Sequence, residues 1–131
     1  MREPKKSEKR RSVRTPVTVP VRYRVNGEGS ALQKSLMVGH SKDISVSGLR
    51  LAVEEHHPIG TELELEIVLP RALDLHTSAR VIGEVVGVEE WRVDGVVTQF
   101  DRISFVEADK NAQILILRLV FEIRRRKEKG K

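Results

Sequence analysis

The chain contains no cysteine, so it can build neither a disulfide framework nor a thiolate metal site, an absence that fits a reducing cytoplasm. It is also poor in aromatics. One Trp, one Tyr and three Phe in 131 residues leave few rings on which the bases of RNA or single-stranded DNA could stack. No apolar run approaches the ~18 residues that a spanning helix needs, so membrane insertion is not expected. Residues 1–14 are charged throughout and lack the apolar stretch of a secretory signal. No serine stands in a nucleophile elbow, and no glycine-rich phosphate loop precedes a helical pattern. His40, His56, His57 and His76 have no carboxylate or cysteine partner at metal-ligand spacing and read as surface residues. Glu62, Glu64 and Glu66 alternate on one strand face and read as solvation. No catalytic residue, metal or cofactor is expected.

What is present describes one globular domain: 39% of residues are hydrophobic and 33% charged, richer in Val, Ile and Leu than a disordered chain. The net charge of +5 is unevenly divided. Residues 1–14 carry +5, residues 122–131 carry +4, and the body between them carries −4. An acidic body with basic ends argues against a broad nucleic-acid face and for local anion capture at a terminus.

Val17, Val19, Val21, Tyr23 and Val25 alternate with polar residues, which predicts a strand with one buried face; Pro20 places it at an edge or a bulge. Asn26-Gly27 marks a turn. A weakly patterned second strand is expected between Leu32 and Ile44, and a third over Leu49 to Val53. Leu63, Leu65, Ile67 and Leu69 give the clearest alternation, closed by Pro70. A fifth strand is read from Thr77 to Val88, with bends at Gly83 and Gly87, and a sixth from Trp91 to Phe100, with Trp91 in or near the core. From Ala108 to Lys127 the chain lacks Gly and Pro, begins with Glu107-Ala108-Asp109 and ends in Arg124, Arg125, Arg126 and Lys127, the signature of a helix with a basic C-terminus. The expected architecture is an all-β, six-stranded antiparallel barrel with a C-terminal helix. Residues 1–14 form a basic mobile tail, 15–106 the barrel and 107–131 the helix.

Two short patterns remain. Arg10-Arg11-Ser12-Val13-Arg14 is an R-x-x-x-R just before the first strand, and Asp43-Ile44-Ser45-Val46-Ser47-Gly48 is a D-x-S-x-x-G where the second strand passes into the third. One strand, a turn and a second strand separate them, so the hairpin brings both to one end of the barrel. Alone, the first reads as a solvated tail and the second as an ordinary turn. Their order and spacing in an all-β chain give them joint meaning.

Together they resemble the binding signature of the PilZ family, R-x-x-x-R followed by [D/N]-x-S-x-x-G. The strand opening Gly48-Leu49-Arg50-Leu51 and the basic-ended terminal helix also fall where that family has them, over roughly residues 9–127. The departure lies between Val86 and Phe105, where Val96-Val97-Thr98-Gln99-Phe100 is the nearest match to the usual last strand. The resemblance implies a bacterial receptor for cyclic di-GMP, with Arg10, Arg11, Arg14, Asp43, Ser45 and Gly48 as ligand-binding residues. It further implies that Lys9 bears on whether one nucleotide or a stacked pair is bound. The chemistry is consistent. A guanidinium fork matches the O6 and N7 acceptors of guanine, a carboxylate suits its N1 and N2 donors, Ser45 can donate to a phosphate or base oxygen, and Gly48 permits positive φ or close backbone approach. The signal would leave through a downstream protein partner or a homo-oligomer, in control of motility, biofilm or exopolysaccharide. The alternative is a PilZ-like interaction scaffold that binds no nucleotide.

Overall fold

The structure is a computed structural model and describes residues 15–27, 36–70 and 77–129. Among the described residues seven strands precede one helix: β1 (Thr15–Pro16), β2 (Pro20–Val25), β3 (Met37–Ser45), β4 (Gly48–Val53), β5 (Glu62–Val68), β6 (Ser78–Val93), β7 (Val96–Ala108) and α1 (Lys110–Lys129). All pairings are antiparallel, in the order β1-β3-β2-β5-β6-β7-β4, and a further β3–β4 pairing closes six of the strands into a barrel with β1 as an addition on β3. Closure leaves the six barrel strands without a free edge.

The alternation in the sequence fills the interior. Register sets Val21 against Ile67 and Tyr23 against Leu65, and Leu65 in turn against Val81. Leu49 and Val85 both oppose Ile103, and all these side chains are buried. The outward positions of β2 and β5 pair by charge, Arg24 Nε to Glu64 at 3.0 Å and Arg22 to Glu66 at 3.4 Å, so the glutamate row is a cross-strand ladder. The helix seats Ala112, Ile116, Leu119 and Val120 against the barrel, chiefly on β6. Asp109 caps it, its Oδ1 accepting from the Ala112 amide at 2.7 Å.

Three expectations need correction. The first strand is not continuous from Val17 to Val25. Ser41 of β3 is buried beside it, accepts from the Val19 amide at 3.1 Å and donates to the Val17 carbonyl at 2.6 Å. Its side chain thus takes part of the ladder between Pro16 and Pro20, where only Val17 N to the Lys42 carbonyl and Ser41 N to the Val19 carbonyl remain as backbone bonds. Pro20 opens β2 rather than lying at an edge, for β2 sits between β3 and β5. The fifth and sixth strands were divided in the wrong place. β6 runs through Gly83 and Gly87, which sit at bulges, and the reversal falls at Asp94-Gly95, where both residues have positive φ (53° and 79°) as a tight two-residue hairpin requires. Trp91 therefore lies on β6, 37% exposed and outside the core. Of the second strand, residues 32–35 lie outside the described residues.

Candidate functional site

The site grows from the β3–β4 hairpin. Its two-residue turn, Val46-Ser47, sets Ser45 opposite Gly48, and that register carries Asp43 opposite Arg50. On the other side of β3, Thr15 pairs with Ile44 and Pro16 with Asp43. The chain thus enters the described structure at the residue after Arg14 and does so beside Asp43. Arg10, Arg11 and Arg14 themselves lie outside the described residues.

Asp43 is buried. Its Oδ2 lies 3.6 Å from Arg50 Nε, an ion pair, while its Oδ1 has no hydrogen-bond partner. Arg50 Nε and Thr15 Oγ1 are likewise buried without a hydrogen-bond partner, and these three are the only such side-chain atoms among the described residues. Ser45 holds the turn: its Oγ accepts from the Ser47 amide at 3.2 Å and lies 3.3 Å from the Gly48 carbonyl oxygen, to which it donates. Gly48 does not have positive φ; it is glycine because β7 crosses so closely that a Cβ would collide with the Ile103 carbonyl oxygen.

Reading the sequence missed a second group of residues here. Trp91 presents its indole beside the hairpin, with Lys42 Nζ 4.1 Å and Arg50 Cζ 5.4 Å from the ring centroid. Phe100 packs edge-on against it at 5.9 Å. Glu89 organises the cluster, accepting from Trp91 Nε1 at 2.9 Å and pairing with Arg50 at 3.5 Å and Arg102 at 3.6 Å. Lys42, Arg50 and Arg102 make this surface cationic on an otherwise acidic body.

The histidines also require correction. His56 and His57 are not simple surface residues. Both direct Nδ1 at Asp101, at 3.0 and 2.8 Å, and the His57 amide adds a third bond at 3.3 Å. Asp101 is wholly buried, the His57 side chain is only 14% exposed, and the Tyr23 ring stands edge-on against it at 5.8 Å. The pair and the carboxylate tie the β4–β5 connection to β7. Among the described residues no group of three His, Cys, Asp or Glu side chains could hold a metal ion. His40 is exposed and His76 lies outside the described residues.

The fold is a small closed antiparallel barrel with a terminal helix, carrying a cluster of polar side chains at the β3–β4 hairpin. The chain belongs to the PilZ domain family, whose model matches residues 8–122. Among solved structures it is similar to the PilZ domain of YcgR from Escherichia coli with cyclic di-GMP, at 14% identity and a TM-score of 0.71, covering 92% of this chain and 95% of that one. It is also similar to the K. pneumonia MrkH–cyclic di-GMP complex (14% identity, TM-score 0.69, 92% of this chain), spanning about half of that protein at 55%. A third is the PilZ domain of CeSA from a cellulose-synthesizing bacterium, at 16% identity and TM-score 0.56, covering 86% of this chain and 99% of that one. A search of curated proteins gives no match.

Proposed function

We propose that this chain is a receptor for cyclic di-GMP and not an enzyme, with Arg10, Arg11, Arg14, Asp43, Ser45 and Gly48 forming the ligand site. Family membership and the ligand named for the YcgR and MrkH structures support the reading. The observation that carries it is the Asp43–Arg50 ion pair on one face of the β3–β4 hairpin, with Asp43 Oδ1 buried and without a hydrogen-bond partner, beside the strand that follows the arginine motif in sequence. A buried polar atom without a hydrogen-bond partner costs about 1–3 kcal/mol, and a carboxylate oxygen left open in this way fits a surface completed by a polar ligand.

In this reading each group has a distinct task. Arginines from 10–14 read guanine O6 and N7, and Asp43 accepts from N1 and N2. Ser45 and Gly48 act chiefly by fixing the hairpin that presents Asp43. Trp91 offers a purine an aromatic face, while Lys42, Arg50 and Arg102 supply charge toward phosphates. Closure of residues 1–14 over the ligand would change the surface shown to a protein partner or a second copy in the cytoplasm, in control of motility, biofilm or exopolysaccharide.

Calorimetry with cyclic di-GMP tests the assignment. Arg10→Ala and Arg14→Ala should each weaken binding by ~10-fold or more, the value of one bidentate guanine contact. Unchanged affinity in both would remove the arginines from the site. A folded wild-type chain that binds no nucleotide would favour the scaffold reading.

A further inference from the structure

The helix α1 is apolar on two opposite faces, and the barrel uses one. Ala112, Ile116, Leu119 and Val120 are buried, whereas Ile114, Leu117 and Phe121 are 50%, 55% and 61% exposed. Spacings of three and four residues align these three as one stripe along the outer side of the helix. Cations border it: Lys110 at its N-terminal end, and Arg118, Arg124 and Arg125 along its flanks, all exposed. Glu122 is the one acid among the helix side chains described, and it already pairs with Arg125 at 2.8 Å.

We propose that this face docks the protein on an anionic lipid bilayer, with Ile114, Leu117 and Phe121 entering the headgroup region and the bordering cations meeting lipid phosphates. A convex apolar stripe flanked by Arg and Lys is the form of a helix that lies in the plane of an interface. Spanning is a separate matter, and no helix among the described residues is long and apolar enough for it.

A second copy of the chain fits this face less well. Three half-exposed side chains offer on the order of 300 Å² of apolar surface, against the ~800 Å² per partner of a stable protein interface. Charge opposes self-pairing in either direction. An antiparallel copy that sets Ile114 against Phe121 brings Lys110 against Arg125 and the two Arg118 side chains together, and a parallel copy sets every cation on its twin. An anionic surface relieves that repulsion and needs only shallow burial. Glu107 and Asp109 precede the helix and are not buried, so attraction should be strongest toward its C-terminal half.

The test is co-sedimentation of the full chain with phosphatidylcholine vesicles, with and without about 30% phosphatidylglycerol, at about 50 mM and about 500 mM salt. The wild type should bind only the anionic vesicles and release at high salt. Leu117→Gln/Phe121→Gln should lower the partition at least ~10-fold while leaving the far-ultraviolet spectrum and melting midpoint in place, since both residues are exposed. Arg118→Gln/Arg124→Gln should also lower it and flatten its salt dependence. No binding to anionic vesicles overturns the proposal. Binding that ignores the Leu117 and Phe121 changes overturns it too, because the basic chain ends would then account for capture. So would a wild-type dimer in sedimentation velocity that those changes dissociate, which would assign the face to a second copy.

Discussion

Asp101 shows how one side chain can organise a loop. A fully buried carboxylate accepts from two imidazoles and an amide of the β4–β5 connection. Asp101→Ala would leave those three donors without their acceptor, and urea denaturation should register a loss of about 2–4 kcal/mol. A loss below ~0.5 kcal/mol would mean the loop is held by other contacts. Tyr23, beside His57, has its phenol held above the ordinary range near 10, first by burial and then by the charges of Asp101 and Glu54. The unfolded chain ionises this phenol earlier than the native one. Its stabilisation is therefore complete below about pH 10 and lost as pH rises through the folded value. Tyr23→Phe should flatten the alkaline fall in stability, and an unaltered profile would exclude Tyr23 as its source. These contacts were not legible in the sequence, since Asp101 stands 44 and 45 residues from its imidazoles. Arg50 was within reach: once Val46-Ser47 is read as a two-residue turn, Asp43 and Arg50 must face each other across β3 and β4.

Among the elements, legibility followed one-sided burial. β5 alternates cleanly because one face meets the core and the other its charge ladder, and its bounds fell within a residue of expectation. β6 outruns the expected strand by five residues, ending at Val93 instead of Val88, and carries Gly83 and Gly87 inside it at bulges, where bends were expected. The true reversal had a stronger signal in Asp94-Gly95, the residue pair that tight hairpins favour. Trp91 was misplaced by the same error, since its outward position follows only once β6 extends past Val88. Replacing Gly95 by Ala puts a second Cβ-bearing residue at positive φ in the turn, beside Asp94, at about 1–2 kcal/mol. The melting midpoint should fall accordingly, with β6 and β7 amides nearest the turn losing hydrogen-exchange protection first. An unchanged midpoint would show that the β6–β7 ladder, not its turn, sets the reversal.

At the scale of the molecule, cations gather at residues 1–14 of the sequence, around Trp91 and along α1, while Arg22 and Arg24 are taken up by the charge ladder of β2 and β5. The barrel, its antiparallel strands and its terminal helix were all legible, as was the return of β3 that sets Thr15 and Pro16 beside Ile44 and Asp43. The cationic surface around Trp91 was not, because Lys42, Arg50, Glu89 and Arg102 converge only through the curvature and register of four strands. Whether the site reads bases or merely collects phosphates is the central question. Phosphate contacts carry no base information, so a purely electrostatic site would hold any cyclic dinucleotide alike. Adenine lacks the N2 donor and presents an amino group where guanine has O6, leaving an arginine fork facing a donor and Asp43 without its match. Competition calorimetry of the wild-type chain with cyclic di-GMP and cyclic di-AMP decides between the two. A guanine-reading site gives cyclic di-AMP at least ~100-fold weaker binding, about 2.7 kcal/mol; similar affinity for both nucleotides would contradict it.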